Sequence, residues 1–236
     1  MRLLLLSNST MPGEAYLGYP KKEILNFLGD KPVNALFIPF AAVTFSFDEY
    51  EQKVNDSLQE IGHKVVGIHR FDDPVKAVEE AEAIVVGGGN TWQLVRMLHD
   101  QDLMEPIRKK VKAGTPYMGW SAGSNVACPT LRTTNDMPII DPKGFNTLNL
   151  VPFQINPHYL DANPEGHGGE TREQRISEFL EINPGTYVVG LREGTMFKLE
   201  EGALSLIGDR TTRIFLKGKT PYELQVGDDF SFLLND

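Results

Sequence analysis

The chain has 236 residues, 41% of them hydrophobic and 23% charged, an ordinary balance for a globular protein that can bury a sizeable core. Its formal net charge of −9 excludes general affinity for nucleic acid or an anionic membrane, and any anionic substrate must find a local cationic pocket. The single cysteine, Cys128, excludes an intramolecular disulfide and a Cys-x-x-Cys site, which points to a reducing, cytoplasmic setting.

In chain order, the first element is the apolar run Leu3–Leu6. Four leucines are too few for a signal-peptide core or a membrane span and read as a buried strand. Similar runs at 35–40, 65–68, 83–86 and 116–118 are apolar on both faces, as parallel strands covered by helices require. Between them, "FDEYEQKVNDSLQEIG" puts Tyr50, Val54, Leu58 and Ile61 on one helical face, with Gly62 as the stop. "VVGGGNTWQL" (85–94) ends one strand and opens a helix. "LMEPIRKKVKAG" is a further helix, closed by Gly114. The alternation predicts an α/β fold with a doubly wound, mostly parallel sheet flanked by helices. "GWSAG" (119–123) follows the last of these strands, with a short helix over 122–127. The segment 129–150 has turn residues but little periodicity, and a loop of that length in a compact domain usually serves function. "PFQIN" reads as a strand that leads into Pro157 and His158. "ETREQRISEFLEIN" reads as a helix with Thr171 as N-cap and Gln174 at the capping-box spacing. "TYVVGL" reads as a strand. From Thr195 onward, short strands and turns form an antiparallel extension (195–236) of a single domain covering 1–236.

Gly119-Trp120-Ser121-Ala122-Gly123 fits G-x-S-x-G in the strand–turn–helix context of a nucleophile elbow. The tight turn strains Ser121 and stands its hydroxyl at a helix N-terminus. The bland alternative is a buried serine at a glycine-flanked strand end. The three glycines of "GGGN" expose backbone N–H groups. The dinucleotide fingerprint fails because position 92 is Trp, and no phosphate-loop lysine follows. An oxyanion-hole wall is the better reading: loops at the carboxyl ends of parallel strands cluster on one edge, so Gly88 and Gly89 face Ser121, with the Ala122 N–H as second donor. Asn90, in the same loop, is a candidate substrate contact. Of the five histidines, His158 lies just past a strand end and is stiffened by Pro157, so it is the candidate base. His167, in "EGHGGE", is the fallback. His63, His69 and His99 lie in or beside ordinary elements. Two carboxylates can orient the histidine: Glu193 at the end of "TYVVGL", and Asp136 in the long loop, which gives the Ser–Asp–His order of many hydrolases. No His/Cys/Asp cluster has zinc-ligand spacing, so no metal and no cofactor is expected.

The segments "LLLLSNST", "FIPFA", "VGGGNT", "GWSAG", "CPTLRTTNDMPI", "INPHY", "EGHGGETREQR" and "GLREG" occur in this order. Together they resemble the peptidase E family, aspartyl dipeptidases that are serine peptidases on a flavodoxin-like, class I glutamine-amidotransferase-like fold. The resemblance runs from Met1 to about Gly194. It implies cleavage after an N-terminal aspartate without a metal, Ser121 as nucleophile and His158 as base. Both Glu193 and Asp136 fall within family motifs. Glu193 is preferred as the orienting acid, with Asp136 as a partner of the histidine or counter-ion for the substrate ammonium. The aspartate side chain calls for an arginine fork. Arg172, in the first turn of its helix, is preferred over Arg132, Arg175 and Arg192, although it can equally be a solvated arginine paired with Glu170 or Glu173. The expected partner is a small dipeptide, not nucleic acid or membrane, and a homodimer can wall off the site. Three rivals remain. A cyanophycinase-like peptidase needs acidic groups to hold arginine, where this chain has "TREQR". A glutamine amidotransferase needs cysteine at position 121. A non-catalytic domain would use "GGGN" for a phosphate ligand.

Overall fold

The computed structural model describes residues 1–163, 165, 166 and 168–235. β1 (Leu3–Leu6), β2 (Asn34–Ile38), β3 (Lys64–Gly67), β4 (Ile84–Val86) and β5 (Tyr117–Trp120) alternate with α1 (Lys21–Leu28), α2 (Phe47–Leu58), α3 (Pro74–Glu80), α4 (Thr91–Asp100) and α5 (Met104–Lys112). α6 (Ala122–Asn125) follows β5 directly. Next come β6 (Gln154–Asn156), α7 (Arg172–Ile182), β7 (Val188–Gly190), β8 (Met196–Glu200), β9 (Ala203–Ile207), β10 (Thr212–Phe215) and β11 (Tyr222–Leu224). The main sheet has the order β3-β2-β4-β5-β1-β8-β9. Its first five strands are mutually parallel. Counted from β2, the parallel strands follow the flavodoxin-like order 2-1-3-4-5, with β1 in the place of the fifth strand.

The leucine run explains its own position. Leu3 and Leu5 pack in the core on one face of the sheet, and Leu4 and Leu6 in the core on the other. A strand covered on both faces must be apolar at every residue, and each buried leucine contributes roughly 1.5–3 kcal/mol. α2 buries Tyr50, Val54 and Leu58 on one face, and Gly62 ends the following turn at a φ of 81°. Thr171 and Gln174 form the expected reciprocal capping box on α7.

The short antiparallel strands expected after Thr195 are present, and they are built into both sheets. β8 pairs antiparallel with β1, and β9 with β8, so they complete the main sheet. β10 and β11 join β7 and β6 in a second sheet of order β11-β10-β7-β6, in which β6 and β7 are parallel. The reason lies in period-two burial: Phe197 and Leu199 enter the core on one face of β8 while Lys198 and Glu200 stay half exposed. No helix among the described residues is long and apolar enough to cross a membrane.

Candidate active site

The carboxyl ends of β4, β5 and β1 are adjacent in the main sheet, so the segments leaving them meet on one edge. Ser121 leaves β5 with φ 52° and ψ −112°, a left-handed conformation that costs a non-glycine residue about 1–3 kcal/mol. The turn is held from both sides. The Ser121 N–H donates to Leu6 O at 3.1 Å, and the Ser121 carbonyl accepts the N–H groups of Ser124 at 3.0 Å and Asn125 at 2.9 Å. Only glycine fits at 123, because a Cβ there would lie 2.2 Å from Val86 O.

His158 and Glu193 come from the second sheet. Parallel pairing of β6 and β7 sets Asn156 opposite Gly190, and the chain beyond each strand then carries the two side chains together. His158 Nδ1 lies 2.6 Å from Glu193 Oε1, and its Nε2 lies 2.9 Å from Ser121 Oγ. An ionised carboxylate only accepts, so Nδ1 carries the proton and Nε2 is left to accept from the serine hydroxyl. The His158 and Glu193 side chains are 40% and 36% exposed, so a substrate can reach them. His167, the fallback base, lies outside the described residues.

Gly88 faces the serine: a Cβ on it would lie 3.0 Å from Ser121 Cβ. Among the described residues, the N–H groups of Gly88 and Gly89 donate to nothing. The Ala122 N–H opens α6 and has no intrahelical acceptor. The buried Tyr50 hydroxyl donates to Gly88 O at 2.9 Å and accepts from Trp120 Nε1 at 3.1 Å. Burial raises its pKa, which keeps the donor protonated. Because a trans peptide directs its C=O and N–H to opposite sides, holding Gly88 O turns the Gly89 N–H the other way.

Asp136 makes no bond to His158. Its Oδ2 accepts the Thr91 N–H at 2.7 Å, the Thr91 hydroxyl at 2.6 Å and the Thr134 hydroxyl at 3.0 Å, which fastens the long loop to the start of α4. It still lines the cleft with Ser121, His158, Gly88, Gly89 and Lys53, and among the described residues its Oδ1 accepts no hydrogen bond. Asn90 is the N-cap of α4: its Oδ1 accepts the Gln93 N–H and its Nδ2 donates to Met137 O. One lone pair and one N–H of its amide are thereby committed to structure.

The arginines sort by partner. Arg192 is held by Asp161 and Glu223, so it is not a free anion site. Arg132 lies over the Phe145 ring at 4.5 Å, and Arg175 pairs with Glu170 at 3.7 Å. Arg172 makes no ion pair with any described residue. Burial lowers its pKa, the neighbouring Arg175 lowers it further, and Asp136 opposes both. Arg132, Arg172 and Arg175 line a small cavity with Thr134 and Asn135, and Ser121 is not in its wall.

The cleft around Ser121 measures about 360 Å³, at the small end of ligand sites. A larger one of about 450 Å³, bounded by Met1, Lys112 and Asn149 through Pro152, lies at the opposite end of β1 and has no hydroxyl nucleophile, imidazole or carboxylate in its wall. Asp48, Glu51 and His69 form a cluster with metal-ligand atoms within 4.8 Å of one another, which spacing along the chain did not reveal. Arg70 bridges its two acids, at 2.7 and 2.6 Å. Sequence reasoning also missed Tyr50 as the residue that holds the Gly88 carbonyl, since it reads there only as part of a helix's apolar face.

The profile of Peptidase family S51 matches residues 3–207. The chain is 54% identical to peptidase E of a Nostoc species over 233 residues, 99% of this chain and 96% of that protein. It is 51% identical to peptidase E of Salmonella typhimurium over 230 residues, 98% of this chain and 100% of that protein. Among solved structures, a peptidase from an acI-B1 Actinobacterium shares the fold with a TM-score of 0.66 at 19% identity, covering 98% of this chain and 96% of that one.

Proposed function

The chain belongs to peptidase family S51 and is a serine peptidase, and from that premise we propose that it hydrolyses dipeptides with an N-terminal aspartate through an acyl-enzyme on Ser121. The observation that carries this reading is the hydrogen-bonded series Ser121 Oγ, His158 Nε2, His158 Nδ1, Glu193 Oε1. Ser121 Oγ attacks the carbonyl carbon of the aspartyl residue while His158 Nε2 takes the hydroxyl proton. The carbonyl oxygen becomes an oxyanion, and the N–H groups of Gly88, Gly89 and Ala122 are the donors available to it. Glu193 stabilises the imidazolium. The carbon–nitrogen bond then breaks, and His158 returns its proton to the leaving amine. Water attacks the ester with His158 again as base, and aspartate leaves.

Arg172 binds the aspartate side chain. It is half buried and lacks an ion-pair partner among the described residues. Asp136 presents its free Oδ1 to the substrate ammonium. The working unit is a homodimer in a reducing cytoplasm: Val43, Phe45, Met137 and Ile139 are exposed on the loops that flank the cleft, where a second copy can close it against longer peptides. A fluorophosphonate probe tests the core of the reading. It is expected to add once, at Ser121, and to leave Ser121→Ala unmodified and inactive on Asp-Leu. Asp-Leu turnover by Ser121→Ala equal to that of the parent would overturn it.

A further inference from the structure

β1 runs out of the main sheet as Leu6-Ser7-Asn8, and each of these residues bonds backbone belonging to, or directly following, a different residue of the Ser121–His158–Glu193 series. Leu6 O accepts the Ser121 N–H at 3.1 Å. Ser7 Oγ accepts the His158 N–H at 2.9 Å and donates to Leu191 O at 2.8 Å. Asn8 Oδ1 accepts the N–H of Gly194, the residue after Glu193, at 2.9 Å and the Tyr19 hydroxyl at 3.0 Å. Ser7 and Asn8 are 0% and 2% exposed, so neither meets the substrate.

We propose that Ser7 and Asn8 are positioning residues that join the two halves of the active site. The nucleophile stands on the main sheet, while the base and acid stand on the second. The inference rests on the reading of Ser121, His158 and Glu193 as nucleophile, base and orienting acid. His158 has a φ of 53°, a conformation that persists only when its surroundings hold it, and its N–H has Ser7 Oγ as acceptor. Gly194, at a φ of 82°, turns the chain just past Glu193, and Asn8 holds that turn. Asn8 is itself fixed, since its Nδ2 donates to Thr10 O at 2.8 Å. Removing Ser7 Oγ frees the His158 backbone to relax, and the imidazole moves with it. A misplacement of about 1 Å costs on the order of a hundredfold in rate. The surrounding fold keeps other ties: the Ser7 N–H to Thr195 O and the Tyr159 N–H to Leu191 O, both at 3.1 Å.

The experiment is steady-state hydrolysis of Asp-Leu across pH by the parent, Ser7→Ala and Asn8→Ala, with rates expressed per folded molecule from circular dichroism. For Ser7→Ala, kcat is expected to fall about a hundredfold while KM stays within about threefold. For Asn8→Ala, kcat is expected to fall by more than about threefold while KM stays within about threefold. A purely structural role would lower the melting temperature and the folded fraction but leave kcat per folded molecule in place. If Ser7→Ala does not fold, Asn8→Ala decides alone. Rates per folded molecule within about threefold of an active parent would overturn this inference only. A parent without Asp-Leu turnover would overturn the reading beneath it and this inference with it.

Discussion

Glu193 and Asp136 are both carboxylates beside one cleft, and they differ in what their oxygens touch. Glu193 Oε1 meets His158 Nδ1, whereas Asp136 Oδ2 is occupied by three donors from Thr91 and Thr134. An amide at 193 cannot stabilise an imidazolium and can favour the wrong tautomer. Glu193→Gln is therefore expected to lose kcat on the order of ten-thousandfold. Asp136→Asn keeps an acceptor for Thr91, so its main expected effect is a higher KM from a weakened ammonium contact. Steady-state kinetics on Asp-Leu checks both, and a dead Asp136→Asn beside a near-normal Glu193→Gln would exchange the roles. Sequence alone left the two open for a physical reason. Asp136 is nearer to Ser121 along the chain, but parallel pairing of β6 with β7 decides which acid meets the imidazole, and pairing of two three-residue strands leaves little trace in composition. Ser121 was legible because the elbow needs glycines at fixed offsets. Asn90 has a structural role that the sequence reading did not name, the N-cap of α4.

At the scale of elements, the second sheet positions His158 and Glu193, and its free edge carries a charge cluster. Glu223 on β11 accepts hydrogen bonds from Arg192, just past β7, and from Arg213 on β10, with Thr211 adding a third at 2.7 Å. Burial works to raise the Glu223 pKa. Hydrogen bonds from Arg192, Thr211 and Arg213 outweigh it and hold the pKa at about 2. A folded-state pKa below the unfolded value of about 4.3 means the stabilisation is present above about pH 4.3 and is lost as pH falls toward 2. The melting temperature of the parent should therefore drop more steeply between pH 4.5 and 2.5 than that of Glu223→Gln, which starts lower and lacks the charge. Parallel curves for the two proteins would contradict this account. The long elements α2, α4, α5 and α7 were readable because each has an amphipathic face or a cap with a mechanism. The edges of the two sheets were not: strands of three to five residues carry too few alternations to say which sheet they join, so the sequence did not show that β8 pairs with β1 and β9 with β8.

At the scale of the whole molecule, one edge of the main sheet carries Ser121 and the N–H groups of Gly88, Gly89 and Ala122, and the chain just past a parallel pair in the second sheet carries His158 and Glu193. The S51 match at 3–207 takes in Ser121, His158 and Glu193, and β10 and β11 lie beyond it. The arrangement also bears on assembly. With exposed apolar side chains on the loops around a small cleft, light scattering is expected to give twice the chain mass. A monomer at working concentration would leave exclusion of longer peptides to the 129–150 loop and the chain around 161–170. Specificity is a property of this scale too, because a protein of net charge −9 repels an acidic side chain until a local cation recovers the cost. With Arg172 as the proposed partner, two charge-assisted bonds, each worth roughly 1.5–3 kcal/mol, imply a preference for Asp over Asn on the order of a hundredfold or more. The most direct test of the account is therefore the ratio of kcat/KM for Asp-Leu to that for Asn-Leu in the unmodified protein: a ratio of about a hundred or above is predicted, and equal cleavage of the two dipeptides would contradict it.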